Sequence, residues 1–502
     1  MAALTAQRHR HWQSCANATI RADARWGGER KRQMPHWQTR PDLDRQRLAG
    51  RAKLYVAGAF GARLDRLAAG IRSARHAWSL HATLLRNAAA LATGAWASSV
   101  FGFVYWWVAA RYLSLETVGL TAAAISIMSL IALIAELGLG PLLVAESLSE
   151  GKEQIGLISA ALITAPATAL LLGVLFIYVS KAIPVNLGGI TGSGYLLFLL
   201  GCSVTCFSTV LACACTGLLR SSLVMGEKFA FSLIKLTLLA LVVAQSGSAA
   251  TETMVFATWV GGQTASALAF ALYLATTRSG LLHPRFNALR KLIPTSLSHY
   301  VLNLVILAPA MAMPFLVAVI LSPAVTAAFN VSWMIFRVST LLPTALSTMI
   351  FAVARSDPGY CASRVRLALL LSAGCTIGVF LFLFPFSNVV LMIFKPEYAE
   401  IASSSLQILC ISYFAVALNS VYLALNRIGG RMLFASLVFG IGGFAELFFA
   451  SAGAFLGGLL GMSVGWVAAT LLQSLFMAPA VLSAAAIKPE NSTIFVARGK
   501  NA

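Results

Sequence analysis

Four charged side chains sit inside long apolar runs of this sequence: Glu136, Lys235, Arg337 and Glu446. Ionisable groups in such surroundings are costly and mark either a working site or an internal clamp. Arg337 is the sharpest. It lies roughly a dozen residues into the run 325–353, hence about 18 Å along a helix, near the middle of a bilayer. A guanidinium grips phosphate through a planar, two-pronged fork. Arg337 therefore reads as a contact for an anionic, lipid-borne substrate, or as a clamp to a carboxylate or to backbone carbonyls of a neighbouring helix. Lys235, near the start of the run 229–246, is a second substrate-binding candidate; the plainer reading has its stem snorkelling to the interface. Glu136 pairs with Lys235 or with basic loops, or holds a coupling ion. Glu446, near the end of the run 432–452, is an interfacial carboxylate or an ion site.

Uncharged polar groups add candidates. His299 and Asn303 are four apart, so they share a helix face and suit a cavity wall or a coupling site; a solvated interfacial histidine is the plainer alternative. Pro309 and Pro314 interrupt the same run. Each removes a backbone donor and permits bending, which makes the pair a candidate gating hinge. Gln407, Asn419 and Tyr422 suit a cavity wall or ordinary interhelical hydrogen bonding. Gly457, Gly461 and Gly465 form a ridge for close helix packing. Tyr105, Trp106 and Trp107 read as an interfacial aromatic belt.

The elements that must carry these residues are membrane spans. The chain has 502 residues, 59% hydrophobic and 11% charged, well below the charged fraction of soluble domains. Apolar runs fall near 87–110, 118–140, 155–180, 195–219, 229–246, 253–276, 297–320, 325–353, 367–386, 401–424, 432–452 and 455–482. The fold class expected is an all-α polytopic membrane protein with about twelve transmembrane helices in two six-helix bundles around a central cavity. Between the runs, twelve Lys/Arg fall on one side and only Arg111, Lys181 and Lys395 on the other. Positive charge stays inside, which places both termini in the cytoplasm of a multi-pass membrane protein. Leu113-Ser114 and Leu321-Ser322 precede the second and eighth runs at one offset, as two related halves would.

Residues 1–86 carry 17 Lys/Arg against 5 Asp/Glu. They form a basic, largely disordered arm; the basic amphipathic pattern over 54–80 suits a helix on anionic lipid, the plainer reading being a loose extension with no role, and nucleic acid is disfavoured because aromatic interleaving is missing. The halves are 87–276 and 297–484, joined by a cytoplasmic linker at 277–296, and a cytoplasmic tail spans 485–502. Eight cysteines include no CxxC pair, so neither disulfide nor zinc is indicated. No nucleotide loop, metal spacing or paired-carboxylate constellation in an outward loop appears; no catalytic residue, metal or cofactor is expected, and the protein reads as a transporter, not an enzyme.

Several stretches carry a family resemblance: Phe101-Gly-Phe-Val-Tyr-Trp, Ala109-Ala-Arg-Tyr-Leu-Ser, Ile125-Ser-Ile-Met, Leu137-Gly-Leu-Gly, and Asn330-Val-Ser-Trp-Met-Ile-Phe-Arg followed by Leu341-Leu-Pro-Thr-Ala-Leu. Over about residues 87–480 the chain resembles polysaccharide biosynthesis proteins of the Wzx type, the O-antigen flippases of the superfamily that holds the MATE exporters and MurJ. That resemblance implies alternating access around a cation-lined cavity, with Arg337 and Lys235 as its cations. It implies an undecaprenyl-diphosphate-linked oligosaccharide as substrate, bound for lipopolysaccharide or exopolysaccharide, and association with glycan-assembly proteins. The coupling ion, proton or sodium, stays open. A MATE-like drug antiporter is the alternative; an O-antigen polymerase or ligase is disfavoured by the short outward loops.

Overall fold

The computed structural model describes residues 93–94, 96–146, 152–182, 193–277, 284–341, 344 and 361–486. The basic arm, its amphipathic pattern and the C-terminal tail lie outside the described residues. Among those described, every regular element is helical. The first helix, α1, occupies 96–112. It is followed by α2 (Leu115–Ala135), a short α3 (Leu139–Glu146), α4 (Lys152–Ala182), α5 (Ser193–Gly217), α6 (Ser221–Ser246) and α7 (Glu252–Thr277). The second half holds α8 (Phe286–Ile320), α9 (Pro323–Ser339), α10 (Cys361–Met392), α11 (Pro396–Ile411), α12 (Tyr413–Ile428) and α13 (Met432–Ala486).

Eight of the described helices are long and apolar enough to cross a membrane, nine if the bent pair α11–α12 is one span. Two features extend that count. The tally leaves out α9, at 17 residues, and α1, which is described from residue 96. Helix α13, at 55 residues, would be about 80 Å long if straight, but its backbone leaves helical geometry at Gly457 and Gly458. Gly458 turns through φ 58°, where an L side chain would be strained. Beyond that turn the chain runs back antiparallel to itself. A Cβ at Gly461 would collide with the Gly453 carbonyl oxygen, and one at Gly465 with the Phe449 oxygen. The glycine ridge thus lets two backbones touch, although Gly457 belongs to the turn and not to the last span.

The ends of the elements follow from local chemistry. Ser114 accepts the Thr117 N–H at 3.1 Å and opens α2. Ser322 accepts the Val325 N–H at 3.3 Å and opens α9, with Pro323 in the first turn. The two serines of the suspected repeat thus cap their helices in the same way. Helix α8 begins at Phe286, so much of the stretch read as a linker at 277–296 is helical.

Helices α1–α7 pack among themselves, and so do α8–α13; α2 bridges the two sets by packing on both α8 and α9. At the α2–α9 crossing the backbones nearly touch, because a Cβ on Gly119 would overlap the Pro323 carbonyl oxygen. Leucine and phenylalanine side chains such as Leu171, Leu370 and Phe444 stand exposed around the perimeter, the surface a helix bundle offers to lipid.

The hairpin gives a direct test. Gly461→Val should cost at least about 1–3 kcal/mol through overpacking and lower the unfolding midpoint of the purified protein in detergent. Gly378→Ala, at a site with open space around it, should leave the midpoint unchanged.

Candidate functional site

The site is organised around α8. Prolines at positions 309 and 314 each strip the helix of one N–H, which releases the carbonyls of Val305 and Ala310. Neither carbonyl is left to lipid. The indole Nε1–H of Trp333 on α9 donates to the Ala310 oxygen at 3.1 Å. The backbone of α13 presses on the other proline at Gly443, where a Cβ would meet the Pro309 ring at 2.6 Å and the Val305 oxygen at 3.1 Å. One residue beyond Ala310, the hydroxyl of Ser126 on α2 enters the ladder: it donates to the Met311 carbonyl and accepts the Phe315 N–H at 3.3 Å. Three neighbouring helices thus close around α8 at its prolines, and the helix continues unbroken.

Trp333 also sets the next layer. Its ring meets Trp466 edge-on at 5.0 Å, and Phe336 meets Trp466 likewise at 5.4 Å. The Trp466 Nε1–H donates to the Glu446 carboxylate at 3.2 Å. Arg337 follows Phe336 directly on α9. Its side chain is exposed although protein atoms surround the position on nearly all sides, so it faces an internal recess and not lipid. Glu446 is near enough to act on Arg337 electrostatically, yet the two form no ion pair. The Arg337 side chain has no hydrogen-bond or ion-pair partner among the described residues. Its donors are held uncommitted in a hollow, the arrangement an anion requires.

Lys235 has a different setting. It is 2% exposed, neither snorkelling nor lining an open recess. Its Nζ lies 3.8 Å from the Trp259 ring centroid, 4.4 Å from Phe231 and 5.3 Å from Tyr105, an aromatic cage that stabilises an ammonium through the ring faces. Gly262 allows α7 to close on the Lys235 backbone, where a Cβ would meet the lysine nitrogen at 3.0 Å. Tyr105 is fully buried and its hydroxyl is 2.9 Å from that of Thr258. The aromatic belt read from Tyr105, Trp106 and Trp107 is therefore mostly core, and only Trp107 is exposed.

Sequence reading missed Glu227. The fifth apolar run begins at 229 in the sequence, but α6 starts at Ser221 and buries Glu227. Its carboxylate accepts from Ser208 at 2.8 Å and Gln263 at 3.1 Å, and the Lys228 ammonium stands 3.2 Å from its other oxygen. The adjacent Glu-Lys pair was the available signal: neighbouring opposite charges at the mouth of an apolar run can enter it together. Glu136 reaches no lysine. It is buried, accepts the Gly140 N–H, and closes the turn of Leu137 and Gly138 that starts α3. His299 is exposed on α8, and Asn303 is half-buried. Between them Tyr300 points inward and donates to the Ile134 carbonyl on α2 at 2.7 Å. Gln407 donates to the Phe384 carbonyl at 3.2 Å, the interhelical role. No group of three metal-ligating side chains occurs among the described residues.

The two sets of helices also meet at the end that carries Arg111 and Lys395. Trp107 donates to the Ile393 carbonyl at 3.0 Å, and the Lys395 ammonium donates to the Leu113 carbonyl at 3.0 Å. Phe103 and Phe394 meet edge-on near these bonds at 5.1 Å. That end is latched across the halves.

The sequence matches no protein-family model and no curated protein. The fold, however, is shared with solved transporters. An inward-facing MATE-family multidrug resistance transporter of the MOP superfamily aligns with TM-score 0.62 at 14% identity, covering 77% of this chain and 95% of that one. The lipid II flippase MurJ, in an inward closed conformation, aligns with TM-score 0.59 at 12% identity, covering 82% and 90%. The MATE multidrug transporter DinF-BH aligns with TM-score 0.59 at 15% identity, covering 81% and 97%. The chain has the multi-pass fold of these membrane proteins.

Two measurements test the site. In a background with the native cysteines replaced, Arg337→Cys should react with a water-soluble thiol reagent while Lys235→Cys stays protected; equal labelling would contradict the recess and the cage. Trp333→Phe should destabilise the protein by about 1–3 kcal/mol, because the Ala310 carbonyl loses its donor. In a Pro314→Ala background, where position 314 regains its own N–H, the same change should cost less by about 0.5–2 kcal/mol in a double-mutant cycle.

Proposed function

We propose that this protein is a flippase that exports a lipid-linked oligosaccharide or polysaccharide precursor across the bacterial inner membrane by alternating access. The observation that carries the reading is the Arg337 guanidinium in an internal recess, unpaired among the described residues. A diphosphate leaving bulk water loses hydration that must be replaced, and a fixed, two-pronged cation replaces it with charge-assisted hydrogen bonds. The similarity in fold to MurJ, a lipid II flippase, supports a lipid-borne cargo. The undecaprenyl-diphosphate class is assigned on the family resemblance together with this cation. Lys235 in its cage keeps positive charge in the first half without touching the cargo in this conformation.

The topology follows the charge bias, with the arginine-rich end and both termini in the cytoplasm. The latch of Trp107 and Lys395 then closes the outward side, and the conformation is one that awaits cargo from within. An ion, proton or sodium, drives the cycle, and no cofactor takes part. A second reading has an observation of its own. Glu446 shares the recess, and a carboxylate there would suit a cationic drug, the cargo class of a MATE-like antiporter.

Reconstituted vesicles separate the two. Arg337→Ala should abolish translocation of an undecaprenyl-diphosphate-linked oligosaccharide while leaving the protein folded in the membrane, and Arg337→Lys should retain only part of it. Translocation by Arg337→Ala at the wild-type rate would overturn the reading. Transport of a lipophilic cationic dye that requires Glu446 but not Arg337 would favour the antiporter.

A further inference from the structure

The recess holds one carboxylate that the proposed function does not use. Glu446 is near enough to Arg337 to act on its charge, but its carboxylate accepts from the Trp466 indole at 3.2 Å and makes no ion pair with the guanidinium. Opposite charges in a low-dielectric hollow attract strongly, so a carboxylate beside an uncommitted guanidinium should close on it unless something holds it back. Trp466 is well placed for that. It is buried, wedged against Trp333 and Phe336 on the helix that carries Arg337, and its N–H has the Glu446 oxygen as its acceptor. Glu446 and Trp466 stand on opposite arms of the α13 hairpin, and glycine contacts at 453/461 and 449/465 hold the arms in register.

We infer that Glu446 is a release residue: an internal carboxylate that competes with the phosphate of the cargo for Arg337, with Trp466 as the positioning residue that restrains it while cargo is bound. The inference rests on the reading of Arg337 as the anion contact. With the indole bond made, the guanidinium is open to a phosphate. When the recess changes shape and the carboxylate leaves the indole, it takes the place of the phosphate on Arg337. The cargo is then expelled, and the guanidinium is left paired with the carboxylate. The bond to Trp466 and the ion pair to Arg337 are thus alternatives for one carboxylate, and the balance between them sets how tightly the anion is held.

The test is equilibrium binding of undecaprenyl diphosphate to the purified full-length protein in detergent, with a lipophilic cationic dye as the counter-probe. Wild type binds the diphosphate, and Arg337→Ala loses that binding. Glu446→Gln, which keeps the hydrogen bond to Trp466 and removes the competing charge, should bind roughly five- to twentyfold more tightly and release the lipid more slowly. Trp466→Phe keeps the ring packing and removes only the N–H. It should weaken binding, and the Trp466→Phe/Glu446→Gln pair should bind as tightly as Glu446→Gln alone. Failure of wild type to bind the diphosphate, or binding unaffected by Arg337→Ala, defeats the underlying reading. If binding depends on Arg337 but Glu446→Gln binds no more tightly, the release role falls and the reading stands. A structural role for the Glu446–Trp466 bond would make both single variants weaker, which equally overturns the proposal.

Discussion

Within lipid a released backbone carbonyl has no water to turn to, and that constraint governs the centre of this molecule. Two prolines in α8 create the demand: an indole on α9 bonds the Ala310 carbonyl and the glycine-lined backbone of α13 covers that of Val305, while a hydroxyl on α2 joins the ladder one residue further on. Trp333 is the hinge of the arrangement in a chemical sense. The ring that satisfies Ala310 also fixes the register of α9, and with it the place of Phe336 and Arg337. The position of Arg337 is therefore tied to how a broken hydrogen-bond ladder is repaired.

Much of this was legible in the residues themselves. Long apolar runs separated by basic loops mark the helices, because each span must satisfy its own backbone and each loop keeps its charge where translocation is hardest. The sequence places Arg337 a dozen residues into an apolar run; in the structure it stands in the last turn of α9, which ends at Ser339. The prolines were visible too, although their partners were not. Trp333 and Ser126 are ordinary span residues until the packing of α9 and α2 brings them against α8. Neighbours across helices leave no spacing signature in one chain.

Errors came where polarity hid a helix. Glu227 and Lys228 delayed the apparent start of the fifth span, and that shortened run put Lys235 too near the interface. In the structure it stands fourteen residues past Ser221, far too deep to reach the headgroups from that end. Likewise Tyr105 and Trp106 carry the composition of an interfacial belt but are packed in the core, where Tyr105 forms a wall for an ammonium. Composition identifies what a side chain tolerates, and the packed neighbours decide which option is taken.

The contacts between the arms of α13 have a mechanical meaning. Carbonyl oxygens lie against glycine Cα atoms at two successive levels of the hairpin, with no flexible side chain between them to act as a cushion. Such a joint resists sliding and splaying, so the two arms respond to force as one stiff blade whose edge rests on α8 at Pro309 and Gly443. Bending of α8 at that fulcrum swings the whole blade, and a small change of angle at the proline becomes a larger sweep at its tip.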